Sequence, residues 1–261
     1  MDSNKPASTL RKPKKELDIV TTELKKGFEW TTKHTSLVAG IVGVLVLVGG
    51  GYAIYSTLAK SKELDLQSKY YDLEAVVNKK RADFEMAKNP PPATPDQPAP
   101  APTAKPSGDL QKDYGDVTAQ LADFAKQNPG STAGSMAALN LASLQAEYNQ
   151  TEAAITTLKS VTPPKTFLGA LVQMELATQL ANANNCADAT AIWQQLTNAP
   201  NAQFLKGEAK LKMGLCAESQ GDLTKAQSFY SEVERDYKDS AAGRSASQYL
   251  RLLAMKNEAA K

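Results

Sequence analysis

Leu211-Lys-Met-Gly-Leu-Cys-Ala-Glu-Ser-Gln-Gly-Asp-Leu-Thr-Lys-Ala-Gln-Ser-Phe-Tyr230 is the stretch whose reading decides the fold. Gly214 stands twelve residues before Ala226, and Tyr230 follows Ala226 by four. Gln220-Gly-Asp222 lies between them as a turn. Two antiparallel helices approach closely only where side chains are small, and large residues then fill the groove beside the contact. The same spacing recurs upstream as Ala142, Ala154 and Leu158, then as Ala177, Ala189 and Trp193. A further apolar residue follows in each case (Val161, Leu196, Val233), and another precedes the first small residue (Leu141, Leu176, Met213). The unit returns after 35 and then 37 residues. A period of that length predicts an all-α solenoid in which each helix pair is covered by the next.

Outward from the three units, Asp109 to Gln127 supplies a helix before the first and Ala241 to Lys256 one after the last. Terminal helices of a solenoid need a polar outer face, which Arg244, Gln248 and Arg251 offer at helical spacing. Before them, residues 89–108 are rich in proline and alanine, so amide donors are missing and an extended spacer is expected. In residues 60–88 the apolar positions Leu66, Tyr70, Leu73, Val77 and Phe84 form one stripe of a helix. That stripe serves either a coiled-coil dimer, against which Lys80 at a core position counts, or packing on the chain's own repeats.

Between Thr35 and Ala59 there is no charged residue, and Leu37 to Tyr55 is an apolar run. About 23 residues of helix reach roughly 34 Å, the thickness of a bilayer's hydrocarbon core. Trp30, Tyr52 and Tyr55 stand where interfacial aromatics are favoured. The leader is too long and the run too extended for a cleaved signal peptide, so a single uncleaved transmembrane helix is expected. Lysines close to the run balance on its two sides, and Lys5, Arg11, Lys12, Lys14 and Lys15 tip the tail towards the cytoplasm. Small residues four apart, such as Gly49 and Ala53, leave open a dimer through the span or the juxtamembrane helix.

Composition narrows the chemistry. Thirty basic and 28 acidic residues give a formal charge of +2, too even a balance for a dedicated nucleic-acid binder. One histidine and two cysteines are too few nitrogen and sulfur ligands for a four-ligand structural zinc site, and neither metal nor cofactor is expected. His34 lies beside the apolar run with no partner acid in sequence, and no catalytic set emerges.

The spacing of small residues resembles the tetratricopeptide repeat, and Gly214, Ala226 and Phe229-Tyr230 match it best. The wider layout includes Ser68-Lys-Tyr-Tyr-Asp-Leu-Glu-Ala75, Phe124-Ala-Lys-Gln-Asn128 and Gly134-Ser-Met-Ala-Ala-Leu-Asn-Leu-Ala142. It resembles the single-span bacterial repeat proteins typified by the ancillary subunit of the SecYEG translocon. The proline-rich insertion and the longer leader depart from that pattern. The resemblance implies a bitopic inner-membrane protein with its N-terminus in the cytoplasm and its repeats in the periplasm, near the translocon and its chaperones. It also implies a peptide-binding concave face, on which Leu139, Ser143, Met174, Thr178, Leu211, Leu215 and Glu218 fall. The flanking helix or the juxtamembrane helix competes to cover that track. In the same phase Cys186 opens the second helix of unit two and Cys216 lies in the first helix of unit three. They either bridge across the unit boundary or remain two separate buried thiols.

The expected order is therefore a cytoplasmic tail (1–34), a transmembrane helix (35–59), a juxtamembrane helix (60–88), a linker (89–108) and a tetratricopeptide-like domain (109–261). The expected function is binding of proteins or unfolded polypeptides during secretion. An envelope scaffold in cell division or wall assembly is the alternative, and enzymatic activity is not expected.

Overall fold

A computed structural model of the chain describes residues 35–89 and 105–259, with side chains from Leu47 to Asn89 and from Lys105 to Lys256. The tail 1–34, with Trp30, Lys33 and His34, most of the linker, and the side chains of the apolar run before Leu47 lie outside the described residues. Ten α-helices and one 3-10 segment are formed among the described residues. The chain divides into two compact units, Met1–Ser61 and Lys62–Lys261. Helix α1, Thr35–Lys88, contributes to both. In the first unit it carries Leu47, Val48, Ile54 and Leu58 exposed. No helix among the described residues is long and apolar enough to cross a membrane.

The second unit is the predicted stack of helix pairs. Its first helix is broken: Gly115, with φ of +62°, separates α2 (Leu110–Tyr114) from α3 (Asp116–Gln127). Unit one is α4 (Thr132–Glu147) with α5 (Thr151–Lys159), unit two is α6 (Phe167–Asn182) with α7 (Cys186–Asn198), and unit three is α8 (Lys206–Ser219) with α9 (Leu223–Asp236). Helix α10, Ala241–Ala259, closes the stack, with Arg244, Gln248 and Arg251 exposed as a cap requires. The 3-10 segment Pro200–Leu205 accommodates the longer second period.

The turns inside the pairs repeat one device. Asn149, Asn184 and Gly221 take φ of 60°, 63° and 80°. Asparagine and glycine enter that left-handed region at least cost. Asn185 and Asp222 then cap α7 and α9 by accepting the amides of Asp188 and Lys225.

Packing follows the small residues. Ala142, Ala154, Ala177, Ala189 and Ala226 are fully buried, and Leu158, Trp193 and Tyr230 beside them are at most 1% exposed. At Gly214 a β carbon would lie 2.5 Å from the Tyr230 ring, so only glycine lets α8 and α9 approach this closely. The turns between pairs make a second close approach. The carbonyls of Asn128, Pro164 and Tyr237 occupy the space that a β carbon would need at Gly134, Gly169 and Gly243.

The core does not stop at Asp109. Tyr70 and Val77 of α1 are 3% and 0% exposed and belong to the same buried cluster as Leu121, Leu141 and Trp193. Leu66, Leu73 and Phe84 pack against it. The stripe therefore packs on the chain's own repeats, and residues 62–88 join the repeats in one unit.

Candidate functional site

The concave track expected along α4, α6 and α8 is divided by what covers it. Over α4 lies α1. Glu63 Oε1 accepts the Ala133 amide at 3.0 Å, Asn140 Nδ2 donates to the Tyr70 hydroxyl at 3.3 Å, and Arg81 pairs with Glu147 at 2.7 Å. Ala133, Asn140 and Glu147 are seven apart and so lie on one face of α4. Burial pushes the Tyr70 hydroxyl up to about 12, which keeps it neutral as both donor and acceptor. Lys80, an awkward residue in the stripe, reaches out and donates to the Asp113 carbonyl at 2.9 Å.

Asp113 fixes the end of the linker. Its two carboxylate oxygens accept the Ser107 amide, each at 2.9 Å, and the Tyr148 hydroxyl donates to Oδ2 at 2.7 Å. Burial opposes the charge, but the Ser107 amide and the Tyr148 hydroxyl outweigh it and hold the carboxyl below its usual range. Burial and the same bond to Asp113 push the Tyr148 hydroxyl up. A folded value below the unfolded one means stability that is present above the ordinary carboxylate range and lost as pH falls through the folded value. Asp113→Asn should remove about 1–3 kcal/mol at neutral pH. The wild type should keep this difference above about pH 5 and lose it progressively as pH falls through the depressed folded value, and urea titrations of both proteins at steps down from about pH 7 check it.

Where α6 meets α8 the track is open. A cavity of about 200 Å³ is lined by Thr178, Ala181 and Asn182 on one side and Lys212, Leu215 and Ser219 on the other. Trp193 and the cysteines also line it. Cys186 and Cys216 form a disulfide with Cα atoms 5.6 Å apart, which settles the choice left open by the sequence in favour of the bridge. Thr178 donates to the Met174 carbonyl and Ser219 to the Cys216 carbonyl, so their oxygens still have lone pairs to offer. Lys212 lies 3.4 Å from Glu208. The buried Trp193 indole N–H has no hydrogen-bond partner among the described residues. The site combines an apolar wall with a few polar groups, which suits a large apolar side chain on an extended segment.

Of the track residues expected from sequence, Thr178 and Leu215 meet at this cavity. Leu139 is half-buried and packs on the core beneath α1. Ser143 donates to Glu147, the partner of Arg81. Met174 and Leu211 are 8% and 5% exposed and serve the core. Glu218 is spent within the fold, accepting from the Tyr230 hydroxyl at 3.0 Å and from Lys256 at 2.7 Å. The cavity also brings in Asn182, which lies on the concave side of the repeat phase, and Lys212, which the phase does not mark because its place depends on how two units abut.

Among the described residues no cluster of histidine, cysteine or acidic side chains is placed to hold a metal ion. The architecture is a stack of antiparallel helix pairs with tetratricopeptide-like spacing. A family model described as a domain of unknown function, DUF6340, matches residues 175–255, from the second half of α6 through unit three into α10. Among solved structures the chain is similar to one titled "Crystal structure of MamA", at 18% identity and a TM-score of 0.38, over 59% of this chain and 96% of that one. No curated protein matches the chain.

Proposed function

We propose that the chain is a membrane-anchored interaction module that takes apolar segments of extended polypeptides into the groove between α6 and α8. The observation that carries this reading is the open cavity at Thr178 and Leu215, in a track whose first part α1 has already filled. Anchoring rests on the uncharged run 35–59, of which Leu47, Val48, Ile54 and Leu58 are 65–77% exposed. The hydroxyls of Ser56 and Thr57 donate to the Ala53 carbonyl at 2.9 Å, the internal satisfaction a helix needs in lipid. The disulfide supports an oxidising compartment for the repeats, hence the periplasmic side of a bacterial inner membrane with the tail in the cytoplasm. The sequence resemblance to the translocon's ancillary subunit supports a place beside SecYEG, with exported polypeptides as clients.

A photo-crosslinking residue at Leu215, in the full chain in cells, is expected to capture translocon subunits or secretory polypeptides. Membranes washed with alkali should retain the chain. Crosslinks confined to division or wall-assembly proteins would sink the secretion reading and favour the scaffold, and release by alkali would sink the anchor.

A further inference from the structure

Four turns connect one helix pair to the next, and the structure ties them side by side into one edge. Thr162 N–H donates to the Pro129 carbonyl at 2.7 Å, Asn201 Nδ2 donates to the Thr166 carbonyl at 2.9 Å, and Tyr237 packs over Gly207. Helix α1 enters the second unit at this same edge, because Glu63 binds Ala133 at the start of α4 while Arg81 binds Glu147 at its end.

Two aromatic side chains project from the edge uncovered. Phe167, at the start of α6, is 64% exposed and Phe204, in the 3-10 segment before α8, is 58% exposed. Around them the turns themselves are basic, with Glu63, Asp123 and Glu208 at their margins. Lys126, Lys159, Lys165 and Lys206 lie in the first three turns and the helix ends that flank them, and residues 124–134, 156–169 and 196–207 contain no acid. The fourth turn is mixed, with Lys238 between Asp236 and Asp239. The opposite edge is reversed: its turns, residues 147–153, 182–188 and 219–225, hold Glu147, Glu152, Asp188 and Asp222 against Lys225 alone.

We infer that the edge bearing Phe167 and Phe204 lies on the bilayer surface, its lysines against anionic lipid headgroups and its two rings at the interface. The inference rests on the membrane anchor proposed above. Lys62 is three residues beyond Ala59, a reach of no more than about 10 Å, so the edge at which α1 enters is held beside the membrane. Aromatic rings favour the headgroup boundary, and each lysine near an anionic surface adds attraction.

The test is hydrogen exchange on the full chain in nanodiscs of phosphatidylcholine, with or without about 30% phosphatidylglycerol. Amides of residues 160–168 and 199–206 should exchange about tenfold more slowly in the anionic discs, and turns 148–150 and 219–222 should not change. Lys165→Glu with Lys206→Glu, or Phe167→Ser with Phe204→Ser, should return the rates to those in the neutral discs. Equal rates in both discs, whether fast or slow, would overturn the inference while leaving the anchor intact. A chain that separates from the discs on sizing overturns the anchor and this inference together.

Discussion

Val77→Asp is expected to unseat α1 and lower the stability of the repeat unit by about 4 kcal/mol, the cost of a carboxylate forced into a fully buried apolar site. Val77 is 0% exposed in the cluster that holds Leu121 and Leu141, and no basic group is described as reaching it. Val77→Ala should cost about 2 kcal/mol, the transfer energy of the lost methyls plus the space left behind. Near-UV circular dichroism of the full chain in detergent, through buried Tyr70, Trp193 and Tyr230, reads both midpoints in urea. The fragment 109–261 should melt early and broadly for the same reason, since removing α1 exposes the face of α4 that contacts Tyr70. A Val77→Asp chain with the wild-type midpoint would show that α1 is not docked in solution.

The repeats were legible because their constraint is local. A small residue is needed wherever two helices of a pair touch, and Gly214 against Tyr230 shows what the spacing encodes. A second signal stood beside it: glycines at 134, 169 and 243, each where the turn that ends one helix pair presses on the first turn of the next, with Gly207 at the same place in unit three but under the Tyr237 ring. The positive-φ residues Asn149, Asn184 and Gly221 repeat in the same way. The break at Gly115 was hidden, because a single glycine inside a helical pattern is tolerated as often as it ends a helix.

The binding track was only half legible, since repeat phase says which residues face inward but not what already sits there. The bonds from Glu63 to Ala133 and from Asn140 to Tyr70 each join residues 70 apart. Nothing in the periodicity of α4 announces them. Glu63, Tyr70, Val77 and Phe84, spaced by seven along α1, do mark one face, but the choice of partner for that face is a tertiary matter. Lys80 counted against a coiled coil because a cation at a seam is costly, and the structure resolves it with a carbonyl from another helix. With the α4 part of the track filled, the open part lies between α6 and α8, beside the disulfide that joins α7 to α8.

Reduction of Cys186–Cys216 should therefore weaken the unit and loosen its site together. The bridge closes a loop of sequence separation 30, which restricts the unfolded chain by about 3.5 kcal/mol at room temperature. It links the start of α7 to the last turn of α8, across the boundary between units two and three. The thiols would still pack as small apolar groups, so the folded state should lose little contact and the effect should appear mainly as a lower urea midpoint. The cavity wall includes both cysteines, so the bridge holds α7 against α8 at the cavity's edge while it is intact. Cys186→Ser with Cys216→Ser should lose about 3–4 kcal/mol and broaden hydrogen exchange at 206–219, with amides of α4 and α5 less affected. Thiol titration of the unfolded, unreduced protein should find no free cysteine. Two free thiols would remove the bridge from solution and with it the argument for an oxidising compartment, and an unchanged midpoint after reduction would show that packing alone sets the junction between units two and three.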